Sequence, residues 1–120
     1  MIDSPWMLTV DSETRAAGVV LRVQGDVDMR TAEELESRAR DVAAHATPVV
    51  LDLTRVGFLG SHGVALLVRL NRLCAENGGR LRVVADHRAV LRPLELTQVL
   101  SVLTVVPTLE EALDGPADRR

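Results

Sequence analysis

The chain has 120 residues, 47% of them apolar, which is enough for one hydrophobic core and too short for a second domain. Fourteen Lys and Arg against seventeen Asp and Glu leave a formal charge of −3, the wrong sign for a phosphate-backbone binder, and one Trp, one Phe and no Tyr provide no stacking platform for single-stranded nucleic acid. The single cysteine, Cys74, excludes an internal disulfide and a multi-cysteine metal site, and no apolar run reaches the ~18 residues of a membrane span, so a soluble protein of a reducing, cytoplasmic compartment is expected.

Residues 1–6, with Asp3 and Pro5 where a secretory signal would be basic and then apolar, read as a short leader. Met7–Val10 and Ala17–Val23 read as two strands of a hairpin, joined through a polar turn at Asp11–Arg15. The second strand ends at Gly25-Asp26-Val27-Asp28. Thr31-Ala32-Glu33-Glu34 has the spacing of a capping box, so the first helix starts there, with Ala32, Leu35, Ala39, Val42 and Ala43 on its apolar stripe.

Val49-Val50-Leu51-Asp52-Leu53 is apolar on both faces, as expected of a strand in the middle of a sheet. A loop then leads to a second helix from Ser61 to about Asn77, with Val64, Leu67, Leu70 and Cys74 on one stripe and Gly78-Gly79 as its stop. Leu81–Ala85 reads as a strand and Arg88–Leu96 as a short helix that Pro93 kinks or shortens. Val102–Val106 gives the last strand, and Thr108-Leu109-Glu110-Glu111 a second capping box before a terminal helix that Gly115-Pro116 ends. The alternation predicts an α/β fold: one domain over residues 1–114, a mixed, largely parallel sheet of about five strands covered by about four helices, and a frayed tail at 115–120.

Three blocks, taken together, resemble the STAS domain of anti-sigma-factor antagonists. They are Gly25-Asp26-Val27-Asp28 with Thr31–Leu35; Leu51-Asp52-Leu53 running through Phe58-Leu59-Gly60-Ser61-His62-Gly63; and Leu94–Thr97 with Val105-Val106 and Thr108–Leu113. The resemblance covers almost the whole chain. It implies that Ser61 is phosphorylated by a partner that is both anti-sigma factor and serine kinase, of the GHKL-type fold. The unmodified protein would bind that partner and free the sigma factor, and the phosphorylated form would let go. Partner contacts would come from Asp26, Asp28, Met29, Gly60, Ser61, His62 and Gly63. The chain departs from the commonest family pattern at Gly60, where Asp is frequent, and at His62, where Ser or a small residue is frequent. No cofactor, nucleic acid or membrane is implied, and the protein is expected to be a monomer or weak dimer.

The residues support a switch on physical grounds as well. A serine at the first helical position sits ahead of free N–H groups and the positive end of the helix dipole, so it is tolerated with or without a phosphate. The added charge, roughly −1.5 to −2, would fall close to Asp26 and Asp28 if the strand ends align. Against these stand blander readings: Ser61 as an ordinary N-cap, Asp26 and Asp28 as turn and cap residues, Cys74 as a small core hydrophobe. A Ser61–His62 nucleophile lacks a third member, since adjacent residues at a helix start point apart. His45, His62 and His87 lack metal-ligand spacing, and Gly25, Gly60 and Gly63 lack the Lys of a phosphate-binding loop. Two rival functions remain, a constitutive STAS subunit of a transporter or stress-signalling complex acting in trans, and a nucleotide-binding domain. Equilibrium dialysis with ATP and GTP separates the second.

Overall fold

The computed structural model describes residues 8–45 and 48–114. Along them run β1 (Thr9–Arg15), β2 (Gly18–Val27), α1 (Ala32–His45), β3 (Val49–Leu59), α2 (Ser61–Glu76), β4 (Leu81–Val84), α3 (Arg88–Leu96), β5 (Thr104–Val106) and α4 (Leu109–Asp114), with a 3₁₀ turn at Val99–Ser101. The expected strand start at Met7, the leader, the Gly115-Pro116 stop and the tail lie outside the described residues.

The strands stand in chain order, β1-β2-β3-β4-β5, with β1 antiparallel to β2 and every other pair parallel. Each crossover from β2 to β5 therefore steps the same way across the sheet, and right-handed connections place all three connecting helices on one face. That face holds the main core: Leu21, Leu51, Leu53 and Val83 against Leu35, Leu67 and Leu94. The alternate strand residues Val20, Val50 and Val84 point the other way, onto Ala112 of α4. Arg82, also on that side, is buried and donates to the Ala112 carbonyl at 2.7 Å, where the helix dipole is negative.

Several elements differ from the sequence expectation for identifiable reasons. Asp11–Arg15 is strand, not turn: Asp11, Glu13 and Arg15 alternate along the solvated side of the β1–β2 ribbon, where Glu13 pairs with Arg15 and Arg22. The turn is Ala16-Ala17, closed by Gly18 at φ +144, where a Cβ would lie 2.4 Å from the Pro48 carbonyl oxygen. β3 does not stop at Leu53 but continues to Leu59, interrupted by two register shifts against β2.

Thr31 forms no capping box. Its buried hydroxyl accepts from the Asp28 N–H and donates to the Asp26 carbonyl, tying the β2–α1 loop instead of the helix. Thr108 does accept from the Glu111 N–H, and its hydroxyl faces the Glu111 carboxylate. α3 continues past Pro93 to Leu96, with the Pro93 carbonyl accepting from Thr97. The last strand begins at Thr104, not Val102, since the amides of Val102 and Leu103 turn back to the Val99 carbonyl and close the 3₁₀ turn. α2 ends as expected, with Gly78 at φ +81 and the amides of Gly78 and Gly79 returning to Ala75 and Cys74.

Candidate functional site

The site grows out of a mismatch in strand length. β4 ends at Val84, opposite Asp52, whereas β3 runs on to Leu59 with only β2 beside it. On β2 the register brings Asp26 opposite Phe58 and Val27 opposite Leu59, so the strand ends align as the switch reading requires. One residue, Gly60, then joins β3 to α2. Its N–H donates to the Val27 carbonyl at 2.9 Å, and its own carbonyl accepts the first α2 bond, from Val64, at 3.0 Å.

Gly60 is thus the N-cap, extended at φ −89 and ψ −175 and with no side chain to offer, and Ser61 is the first helical residue. The reading of Ser61 as an ordinary cap is overturned. Its side chain is exposed, and Oγ has no hydrogen-bond partner among the described residues. The amides of the first turn have no intrahelical acceptor and no capping oxygen, which leaves the positive end of a 16-residue helix open beside that hydroxyl.

The remaining predicted residues divide. Asp28 organises its own loop: its carboxylate accepts from the Arg30 N–H at 2.9 Å and the Arg30 guanidinium at 2.7 Å, and Arg30 holds its carboxyl below the usual range. Among the described residues Asp26 makes no such hydrogen bond and acts on Arg30 only through its charge; its carboxylate lies over Gly57, 3.4 Å from where a Cβ would stand. Met29 is 73% exposed on the same loop, and His62 is exposed next to Ser61. Gly63 turns inward, where a Cβ would come within 2.5 Å of Leu59 Cδ1 and 2.9 Å of Val27 Cγ1, so glycine lets α2 close onto the strand ends.

Two residues have placements that their sequence setting did not disclose. Phe58 is 50% exposed, and its ring occupies the space beside Gly60, 3.0 Å from where a Cβ would stand. His87 bonds through Nε2 to the Val56 carbonyl at 2.7 Å.

Chemically, the site offers a hydroxyl to be acted upon. Among the described residues neither a histidine nor a carboxylate hydrogen-bonds Ser61, and no three His, Cys, Asp or Glu side chains converge as metal ligands. A cleft lined by Asp11, Arg22, Asp52 and Arg55 lies on the sheet face opposite the main core, apart from this junction.

The profile of the STAS domain family matches residues 8–112. The anti-sigma-F factor antagonist RsfB of Mycobacterium tuberculosis is 30% identical over 115 residues, covering 95% of this chain and 93% of that protein. An anti-sigma factor antagonist from Mycobacterium paratuberculosis, known from its crystal structure, is 34% identical and superposes with a TM-score of 0.86 over 98% of this chain and 100% of that one. The Bacillus cell fate determinant SpoIIAA in its phosphorylated form shares the fold at 20% identity and a TM-score of 0.67, covering 88% and 97% of the two chains. With the profile spanning nearly every described residue and a relative 34% identical superposing over almost the whole chain, the chain belongs to the STAS domain family.

Proposed function

We propose that this chain is an anti-sigma factor antagonist controlled at Ser61. With Ser61 unmodified it binds an anti-sigma factor and frees the sigma factor; phosphorylation of Ser61 by that same partner, a serine kinase of the GHKL-type fold, reverses the capture. Asp26, Met29, Ser61 and His62 face the partner, while Asp28, Gly60 and Gly63 shape the surface that carries them. The protein works in the cytoplasm as a monomer or weak dimer, and no helix among the described residues is long and apolar enough to cross a membrane.

The observation that carries this reading is Ser61 as an exposed, unbonded hydroxyl at the first position of α2, capped by a glycine. Phosphorylation there breaks no contact in the fold, and the first-turn amides stabilise the added charge. What changes is the surface. Roughly −1.5 to −2 charges appear at the rim where β2 ends at Asp26 and Val27, and an interface formed around a neutral hydroxyl is repelled. The kinship with RsfB and the M. paratuberculosis antagonist supports the same partner class.

A pull-down from the source organism with wild-type and Ser61→Asp baits, read by mass spectrometry, tests the proposal. A serine kinase with anti-sigma activity retained only by the wild type is the expected result. Equal retention by both baits, with no phosphate found on Ser61, would sink it.

A further inference from the structure

We infer that His87 is a positioning residue for the switch, holding the overhanging end of β3 so that Phe58 and Ser61 are presented in one geometry. The inference rests on the reading of Ser61 as the partner-controlled residue and adds to it a part of the fold outside the β2–β3 rim.

Between Leu53 and Leu59, β3 has lost its β4 neighbour, because that pairing ends at Asp52–Val84. On the other side the β2 ladder is broken twice over the same stretch, between Arg22 and Gln24 and again between Gly25 and Asp26. A strand end with a missing neighbour and an interrupted ladder has few backbone bonds to fix it. Val56, in the middle of this stretch, is only 1% exposed, so water cannot readily satisfy its carbonyl.

His87 supplies the missing bond. It is the N-cap residue of α3, but its ring makes no capping bond; it reaches across to β3, where Nε2 lies 2.7 Å from the Val56 oxygen. A carbonyl can only accept, so Nε2 carries the proton. Nδ1 is buried without a hydrogen bond, 3.7 Å from Asp86, which leaves the Nε2 contact as the one bond by which the ring is oriented. The side chain thus stands where the next strand would have stood. Two residues beyond Val56 is Phe58 and five beyond is Ser61, with the Gly60–Val27 bond as the next tie. Releasing Val56 frees the segment between the two ties to shift.

Three variants separate positioning from bulk stability. His87→Gln keeps an N–H donor at the reach of Nε2, His87→Asn shortens it, and His87→Leu removes it while filling similar space. Amide hydrogen exchange over residues 56–61 is read by mass spectrometry on the free proteins, alongside kcat/KM for Ser61 phosphorylation by the anti-sigma kinase captured on the wild-type chain. The expected result is exchange faster by on the order of tenfold in the Asn and Leu variants, confined to this segment, with kcat/KM falling in step and Gln restoring both. A long-range ¹H–¹⁵N spectrum of the wild type should show the Nε2–H tautomer. Unchanged exchange and phosphorylation in His87→Leu overturn the inference, as does an Nδ1–H tautomer, and if Leu does not fold the Gln–Asn contrast decides in the same way. A wild-type chain never modified at Ser61 is a different failure, that of the switch reading, and the exchange data would still judge the His87–Val56 tie.

Discussion

At the junction between β3 and α2, neighbouring residues have been given opposite tasks. Ser61 is exposed and unbonded, whereas Gly63, two positions on, is packed between Leu59 and Val27. Gly63→Ala should therefore cost about 1–3 kcal/mol in urea melts, because its Cβ enters space already filled by two core side chains. Ser61→Ala, with no neighbour to disturb, should leave the melting temperature within about 2 °C of wild type. The place of the serine at the head of α2 was legible from the apolar strand before it and the apolar helix after it, whereas its reading as a switch came from the family resemblance. The division between Asp26 and Asp28 was not, since two acids in one loop look alike until the Arg30 guanidinium is seen to hydrogen-bond Asp28, while Asp26 acts on it through its charge. The exposure of Phe58 was not legible because the register shift after Val56 re-aims it, and the bond of His87 because it exists only where β4 falls short.

Among the elements, β3 shows how local irregularity hides a strand. Up to Leu53 its residues are buried almost throughout; beyond it, only Val56 and Leu59 are, at a spacing of three that belongs to no regular strand. The two register shifts against β2 account for that spacing, each inserting a residue and re-aiming those after it. The polar run Asp11–Arg15 misled for the opposite reason, since a solvated two-stranded ribbon carries polar residues on its open side without turning. Glu13 makes this testable. Its bonds to Arg15 and Arg22 lower its carboxyl from the ordinary 4.5 to about 2. A depressed acid contributes stability above its unfolded value, and that contribution is lost as pH falls through the folded one. Wild type should thus exceed Glu13→Gln in stability at neutral pH, with the difference shrinking between pH 4.5 and about 2. The contribution is small because the group is solvent-screened. In the β2–α1 loop, Thr31→Ala removes two partly buried hydrogen bonds and should cost about 1–2 kcal/mol, with faster amide exchange at Asp28.

Over the whole molecule, most of the architecture followed from patterns the sequence displays openly. Strands and helices alternate after an initial hairpin, the central strand is apolar on both faces, and right-handed crossovers leave little freedom in assigning helices to faces. The placement of α4 alone on the second face, over Val20, Val50 and Val84, was not legible, because a six-residue helix carries too short a stripe to declare its side. The resulting scaffold sets the end of β2, the end of β3 and the start of α2 together at one rim. On the proposed reading, a phosphate on Ser61 at that rim releases the partner without refolding. That release is tested most directly by titrating the purified anti-sigma partner into the chain carrying phosphoserine at position 61 and into the unmodified chain, with amide spectra of both. Like-charge repulsion of about 3 kcal/mol predicts a Kd raised on the order of 100-fold, with spectral changes confined to residues 26–31 and 57–64. Equal Kd values, or changes spread through the core of the sheet, would contradict it.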